Sequence, residues 1–359
     1  MSRPRDLLRA VLIAAPLVAA TCDKNALTDL ARKVVFDLSS VGFTADRRFT
    51  GEYDGERVDW VERVKSAGDR KNIVVELLKR NGRARLEITD PAELAAFDRL
   101  AGQLATGGGP RVLFQRDPGP DDLDRMSRNY HVTVIELRRD PVTKAGEPTI
   151  TYRIDPVYED RPFYVLTVST ARGREGFPIE CQEYVKEAFG VRLASRMVVV
   201  EGSLDWRVPS NVQAPQSPTV SRLAIDSLAN VRMRAERNRT ALFLPKDGSL
   251  PPGFELASIE EVKYRTEANV ARVAETITLY RFVYSDGVEK IIFIEHVPTD
   301  TLPPGFPGKG AGSSGDVALI ARFGSITIAS LLHAGTLVTI ESRVAADRFE
   351  SMLDSLVRL

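Results

Sequence analysis

Two cysteines and three histidines among 359 residues leave little material for thiol or metal chemistry. A disulfide scaffold needs several paired cysteines, and a zinc site needs a close-spaced set of Cys, His or carboxylate ligands. Net charge is absent too, because 49 basic residues balance 49 acidic ones. A neutral chain lacks the basic field that draws a protein to nucleic acid or to an anionic membrane surface. Beyond the N-terminus no run approaches the roughly 18 apolar residues of a membrane-spanning helix. HExxH, GxSxG and GxxxxGK[ST] do not occur. What the chain does have is 43% hydrophobic residues, enough for ordinary cores and a length suited to two domains.

The nearest substitutes for chemical motifs do not stand. Gly308 to Gly315 has the composition of a phosphate loop, but Lys309 is followed by Gly310, and a Pro-rich turn precedes it where a strand is needed. It reads as a flexible surface loop. Asp121-Asp122-Leu123-Asp124 lacks the glycine and terminal glutamate of a calcium loop and reads as the acidic start of a helix after Pro120. Glu295 and His296 are strand neighbours on opposite faces, which cannot chelate together, and His131 reads as a packing or surface residue. Glu260-Glu261 is unremarkable in a chain with 27% charged residues. No catalytic constellation, cofactor site or metal site is expected, and neither is an enzyme.

The first residues read as an export signal. Arg3, Arg5 and Arg9 precede the apolar run Ala10 to Ala20, and Val18 and Ala20 fit small-residue cleavage before Thr21. Loss of those three arginines and Asp6 turns 49 basic and 49 acidic residues into 46 and 48, a charge of −2. Cys22 follows Ala19, Ala20 and Thr21 in the position of a lipidated cysteine, with a degraded lipobox. Three readings of Cys22 stand open: a lipid anchor, a disulfide with Cys181, or an incidental thiol.

Apolar spacing predicts a helix over Asn25–Leu38 that Gly42 ends. Alternation then predicts strands at Val58–Val64 and Ile73–Arg80, and a hairpin partner at Arg83–Ile88 after the Asn81-Gly82 turn. A helix follows over Pro91–Leu104 with Asp90 as N-cap, then a short strand at Val112–Gln115. From Tyr130 to Val200 the chain reads as a meander of antiparallel strands. Residues 207–220, with three prolines, read as a linker. Beyond it come a connecting helix at Leu223–Met233, six strands, an Asp286-Gly287 turn and a closing helix over Ala345–Val357.

Two groups of motifs resemble one family. The first is Met126-Ser127-Arg128-Asn129-Tyr130-His131-Val132, then Ile150–Pro156, then Arg161-Pro162-Phe163-Tyr164-Val165-Leu166-Thr167-Val168. The second is Leu250-Pro251-Pro252-Gly253-Phe254, Tyr284-Ser285-Asp286-Gly287-Val288, the strand Ile291–Glu295, and Val338–Glu341 before the last helix. Together they resemble the RseB/MucB family of periplasmic regulators of an envelope-stress sigma factor. The resemblance implies an α+β fold: a curved antiparallel sheet, an unclosed barrel similar to LolA/LolB carriers, with covering helices, followed by a smaller α+β domain. The expected boundaries are 1–20 signal, 21–206 first domain, 207–220 linker and 221–359 second domain. It also implies a binding partner, the periplasmic segment of an anti-sigma factor, and sensing of lipid or envelope protein. The alternative is a LolA/LolB-type carrier or tethered receptor for lipid or lipoprotein acyl chains. A lipidated Cys22 would depart from the family and give the protein its sole hold on a membrane. The expected location is the periplasm or cell envelope.

Overall fold

The computed structural model describes residues 41–53, 56–68, 73–105, 120–140, 147–187, 190–209, 212, 220–265, 276–298, 318–323, 326–344 and 346–359. The signal segment, Cys22, the expected helix Asn25–Leu38, the strand Val112–Gln115, most of the linker and Gly308–Gly315 lie outside them.

The first half is a meander. Its strands are β1 (Gly42–Tyr53), β2 (Glu56–Ala67), β3 (Ile73–Arg80), β4 (Tyr130–Asp140), β5 (Glu147–Pro156), β6 (Phe163–Ser169), β7 (Pro178–Glu187) and β8 (Gly190–Val199). They pair antiparallel in the order β4-β5-β6-β7-β8-β1-β2-β3, and among the described residues β4 and β3 do not pair with each other. The sheet is therefore curved and unclosed, as expected. Alternation sends Phe49, Trp60, Tyr152, Ile154, Leu166 and Val168 into one core with Phe97 of α1 (Pro91–Ala105) and Met126 of α2 (Pro120–Asn129). Phe49 and Trp60 are direct cross-strand partners and stack at 4.4 Å. Asp90 caps α1, its Oδ1 accepting from Ala92 N–H at 3.0 Å.

The second half is a smaller α+β unit. Its sheet runs β14 (Ala318–Phe323), β15 (Ile326–His333), β16 (Thr336–Ser342), β13 (Lys290–His296), β12 (Thr276–Ser285), β11 (Glu255–Arg265) and β9 (Val220–Ile225). Helices α3 (Leu228–Arg237) and α4 (Ala346–Asp354) and the ribbon of β10 (Phe243–Pro245) with β17 (Leu356–Arg358) accompany it. Val231, Ala235, Met352 and Leu353 from the helices join Tyr280, Phe282, Phe293 and Ile340 from the sheet in a separate core. Among the described residues one backbone pair, Tyr53 with Phe323, connects the two sheets.

Gly42 opens β1. Three expectations are corrected. Arg83–Ile88 is no strand: after one bridge, Arg80 to Arg83, the chain tightens into a 3-10 turn at Arg85–Glu87. Alternation would have put Ala84, Leu86 and Ile88 on one face, yet only Ile88 is buried and Leu86 is 95% exposed. Arg83 and Arg85 instead pair with Glu93 and Asp98 of α1. Leu223–Met233 splits into β9 and α3, because Ser227 caps a helix there, its Oγ accepting from Asn230 N–H at 3.3 Å. The closing helix stops at Asp354, and Leu356–Arg358 turns into β17 against β10.

Candidate functional site

The residues that carry the family resemblance come from both halves of the chain, and the fold brings them to one joint. Helix α2 delivers Asn129 and β4 delivers Tyr130. Arg161 lies in the bend just before β6, and Tyr164 is in the strand. Across from them lie the Pro252-Gly253-Phe254 corner and the tight turn Ser285–Glu289 between β12 and β13.

Asp286 is the centre. Its carboxylate is wholly buried and lies 2.7 Å from Nη1 of Arg161, itself wholly buried, off the line of a good hydrogen bond. Tyr130 donates its hydroxyl proton to Oδ2 of Asp286 at 2.8 Å. The other carboxylate oxygen accepts from the backbone N–H groups of Val288 and Glu289, at 2.9 and 2.7 Å, and so shapes the turn. Asn129 donates to the carbonyls of Asp286 and Gly253, at 2.9 and 3.3 Å. Arg161 also donates to the Pro252 carbonyl. Its guanidinium lies between the rings of Tyr158 and Phe254, 4.6 Å from each centroid. An arginine held this way is desolvated and fixed at once.

Two glycines permit the close approach. Gly287 has φ +102, and a Cβ there would sit 2.2 Å from the Met126 nitrogen of α2. Gly253 has φ +85, and a Cβ there would sit 2.4 Å from Oδ1 of Asn129. Val288 then packs against the first core. The turn of the second unit thus seats on the inner face of the first.

Deeper lies a second polar set. Glu289 accepts from the Tyr164 hydroxyl, and Arg343, just past β16, donates to the same oxygen at 3.1 Å. Arg343 lies 4.0 Å from Glu183 of β7, which Ser195 of β8 hydrogen-bonds. Burial pushes Glu289 up to about 7, with Arg343 pulling the other way. Burial also raises Asp286, against the opposing pull of Arg161. Tyr130 and Tyr164 are pushed well above their ordinary range by burial and by the neighbouring carboxylates. Burial drives the Cys181 thiol up to about 12. At the rim, Arg125 and Arg128 of α2 reach Glu255 of β11, at 3.0 and 3.1 Å.

The singled-out residues fall elsewhere or become structural. Cys22 is outside the described residues, and Cys181 is a buried free thiol. His131 is exposed on β4. His296 is buried, its Nδ1 2.8 Å from the Val297 carbonyl oxygen. Asp122 sits in the first turn of α2, paired with Arg125 and accepting from Ser285. Among the described residues no group of three His, Cys, Asp or Glu is placed to hold a metal, and no helix is long and apolar enough to cross a membrane. Sequence reading missed Glu183, Glu289 and Arg343. One signal was available: Glu183 stands in phase with Cys181 on the inward side of an alternating strand, where a charge requires a partner.

No family model and no curated protein matches the chain. Among solved structures it is similar to one described as the crystal structure of MucB, at 15% identity and TM-score 0.48, covering 95% of this chain and 99% of that one. It is similar to the Pseudomonas aeruginosa MucA/MucB complex at 15% identity and TM-score 0.47, with 93% and 99% covered. A third, MucB in complex with MucA(peri), gives 14% identity and TM-score 0.45, with 92% and 98% covered.

Proposed function

We propose that the protein is an exported, non-enzymatic binding protein of the cell envelope that holds the periplasmic segment of an anti-sigma factor. The observation that carries this reading is the joint: the motif residues that resemble the RseB/MucB family are the ones that tie the two units together. Asn129, Tyr130, Arg161 and Tyr164 in the first unit find their partners in Gly253, Asp286 and Glu289 of the second. A carrier needs only a sheet with an apolar inner face, and it has no use for half of a dry, charged interface. That favours the regulator over the LolA/LolB-type carrier. Release on sensing lipid or misplaced envelope protein belongs to the same proposal, with the apolar inner face as the place for an acyl chain.

The test is capture of a single-pass anti-sigma protein by the full mature chain, in cross-linked cells at rest and under envelope stress. Its absence from both samples sinks the regulator. Acyl lipid that co-purifies in native mass spectrometry, without such a partner, favours the carrier. Lipidation of Cys22 is checked separately: Cys22→Ala abolishes labelling by a palmitate analogue if the anchor exists, and labelling that persists refutes it.

A further inference from the structure

We propose that the C-terminal end of α3 and the neighbouring β17 form a docking surface for an anionic phospholipid bilayer. This is independent of the partner the protein holds, and it gives the protein a grip on a membrane that needs no lipidated Cys22.

The neutral total of the chain hides a local excess. Residues 232–239 hold four arginines against one acid, Glu236. Arg234 is the least exposed of the four and lies 3.6 Å from the buried Glu261, which Lys263 also reaches. Arg232, Arg237 and Arg239 are exposed. Arg232 lies 3.2 Å from Glu236, one turn on. Among the described residues no carboxylate pairs with Arg237 or Arg239. A cluster of this kind on a surface helix suits anionic lipid.

The fold adds a further arginine. Phe243 faces Arg358 across the β10–β17 ribbon, and Leu359 N–H donates to the Leu242 carbonyl at 2.9 Å. Exposed Arg358 therefore stands beside the chain that leaves α3. Arg232, Glu236 and Arg358 line an open cavity of about 330 Å³ together with Ala235, Ala241 and Leu242. The acids at this face are Glu236 and the α-carboxylate of Leu359, which lines the same cavity. Four exposed guanidiniums outnumber them. The helix dipole accounts for a cation in the last turn of α3. It does not call for Arg239 beyond the cap at Asn238, nor for Arg358 on another element.

An apolar group sits among these charges. Val231 and Ala235 turn into the second core, so Met233, about half a turn from each, turns outward and is 51% exposed. Arg237 stands one turn further along the same face. A thioether among guanidiniums fits a surface whose charge overlies hydrocarbon. An acidic polypeptide would engage the cations and leave the methionine in water.

Sedimentation of the full mature chain with lipid vesicles tests this, with Cys22→Ala in place so that no acyl anchor contributes. The chain is expected to sediment with phosphatidylglycerol vesicles and not with phosphatidylcholine vesicles, and to be released by added salt. Arg237→Gln with Arg239→Gln is expected to weaken binding on the order of 30-fold. Met233→Ser is expected to weaken it without changing its dependence on salt. Arg358→Gln serves in place of the double variant if that one does not fold. Failure to bind phosphatidylglycerol vesicles at low salt overturns the proposal, and so does binding that the arginine variants leave unaltered. Binding to polyglutamate in place of the vesicles, lost in the double variant, assigns the surface to an acidic peptide and overturns the membrane.

Discussion

At the scale of single residues, Asp286 carries more than its neighbours. Its carboxylate joins a guanidinium from the other unit to two backbone N–H groups of its own turn. Asp286→Asn keeps an acceptor for the turn but leaves Arg161 only the carboxylate of Asp160, 3.5 Å from its Nε, as a counter-charge. Breaking a buried pair from one side costs about 3–5 kcal/mol. Urea unfolding of the full chain is expected to show a loss of that order, and a loss under about 1 kcal/mol would mean that Arg161 finds water. Cys181 makes the opposite case. It is buried in the core of the first sheet with its thiol pushed up to about 12, so almost none is thiolate near neutrality. Iodoacetamide at pH 8 is expected to leave it unmodified in the native protein and to alkylate it once the protein is unfolded. Rapid native labelling would place it at an open edge of the core.

At the scale of elements, what was legible followed from local pattern. Ile73–Arg80 and Pro91–Ala105 announce themselves by period and by the Asp90-Pro91 start, and the meander from Tyr130 by its alternation. The errors share a cause: local signals were trusted where a distant partner decides. Asn81-Gly82 makes its turn, but no apolar surface awaits a strand after it, and α1 offers carboxylates to Arg83 and Arg85. Leu356–Arg358 continues a helical pattern on paper and becomes a strand because β10 presents an edge. At Leu223–Met233 the apolar residues ran on, and the start signal, Ser227, lay inside the stretch. That cap gives a direct check. Ser227→Ala removes the side-chain acceptor for the Asn230 N–H and is expected to cost about 1 kcal/mol. The loss should appear in the second unit, as weaker protection of α3. The joint was half legible: its residues were named from resemblance, but their meeting joins positions more than 100 apart in sequence, which periodicity does not report.

At the scale of the whole molecule, the question is whether two cores behave as one. Each unit has its own apolar cluster, and among the described residues one backbone pair links the sheets. Two such cores joined by a wet, modest surface would unfold independently. The joint is instead dry, with Arg161, Asp286, Tyr130, Tyr164 and Glu289 all buried. Opening it parts Arg161 from Asp286 and strips Val288 from the first core. Separating the units is thus costly while both are folded, and unfolding either one removes the partner the other needs. Calorimetry of the full mature chain near pH 5.5 is expected to give one cooperative transition. The double variant Arg161→Met with Asp286→Leu removes both charges and leaves the joint apolar, so coupling persists. Asp286→Asn alone removes the charge that joins the units, leaves Arg161 to Asp160 of its own unit, and splits the transition into two. Two transitions in the wild type at this pH would show that the buried pair does not couple the cores, and that the joint is a contact and not a clasp.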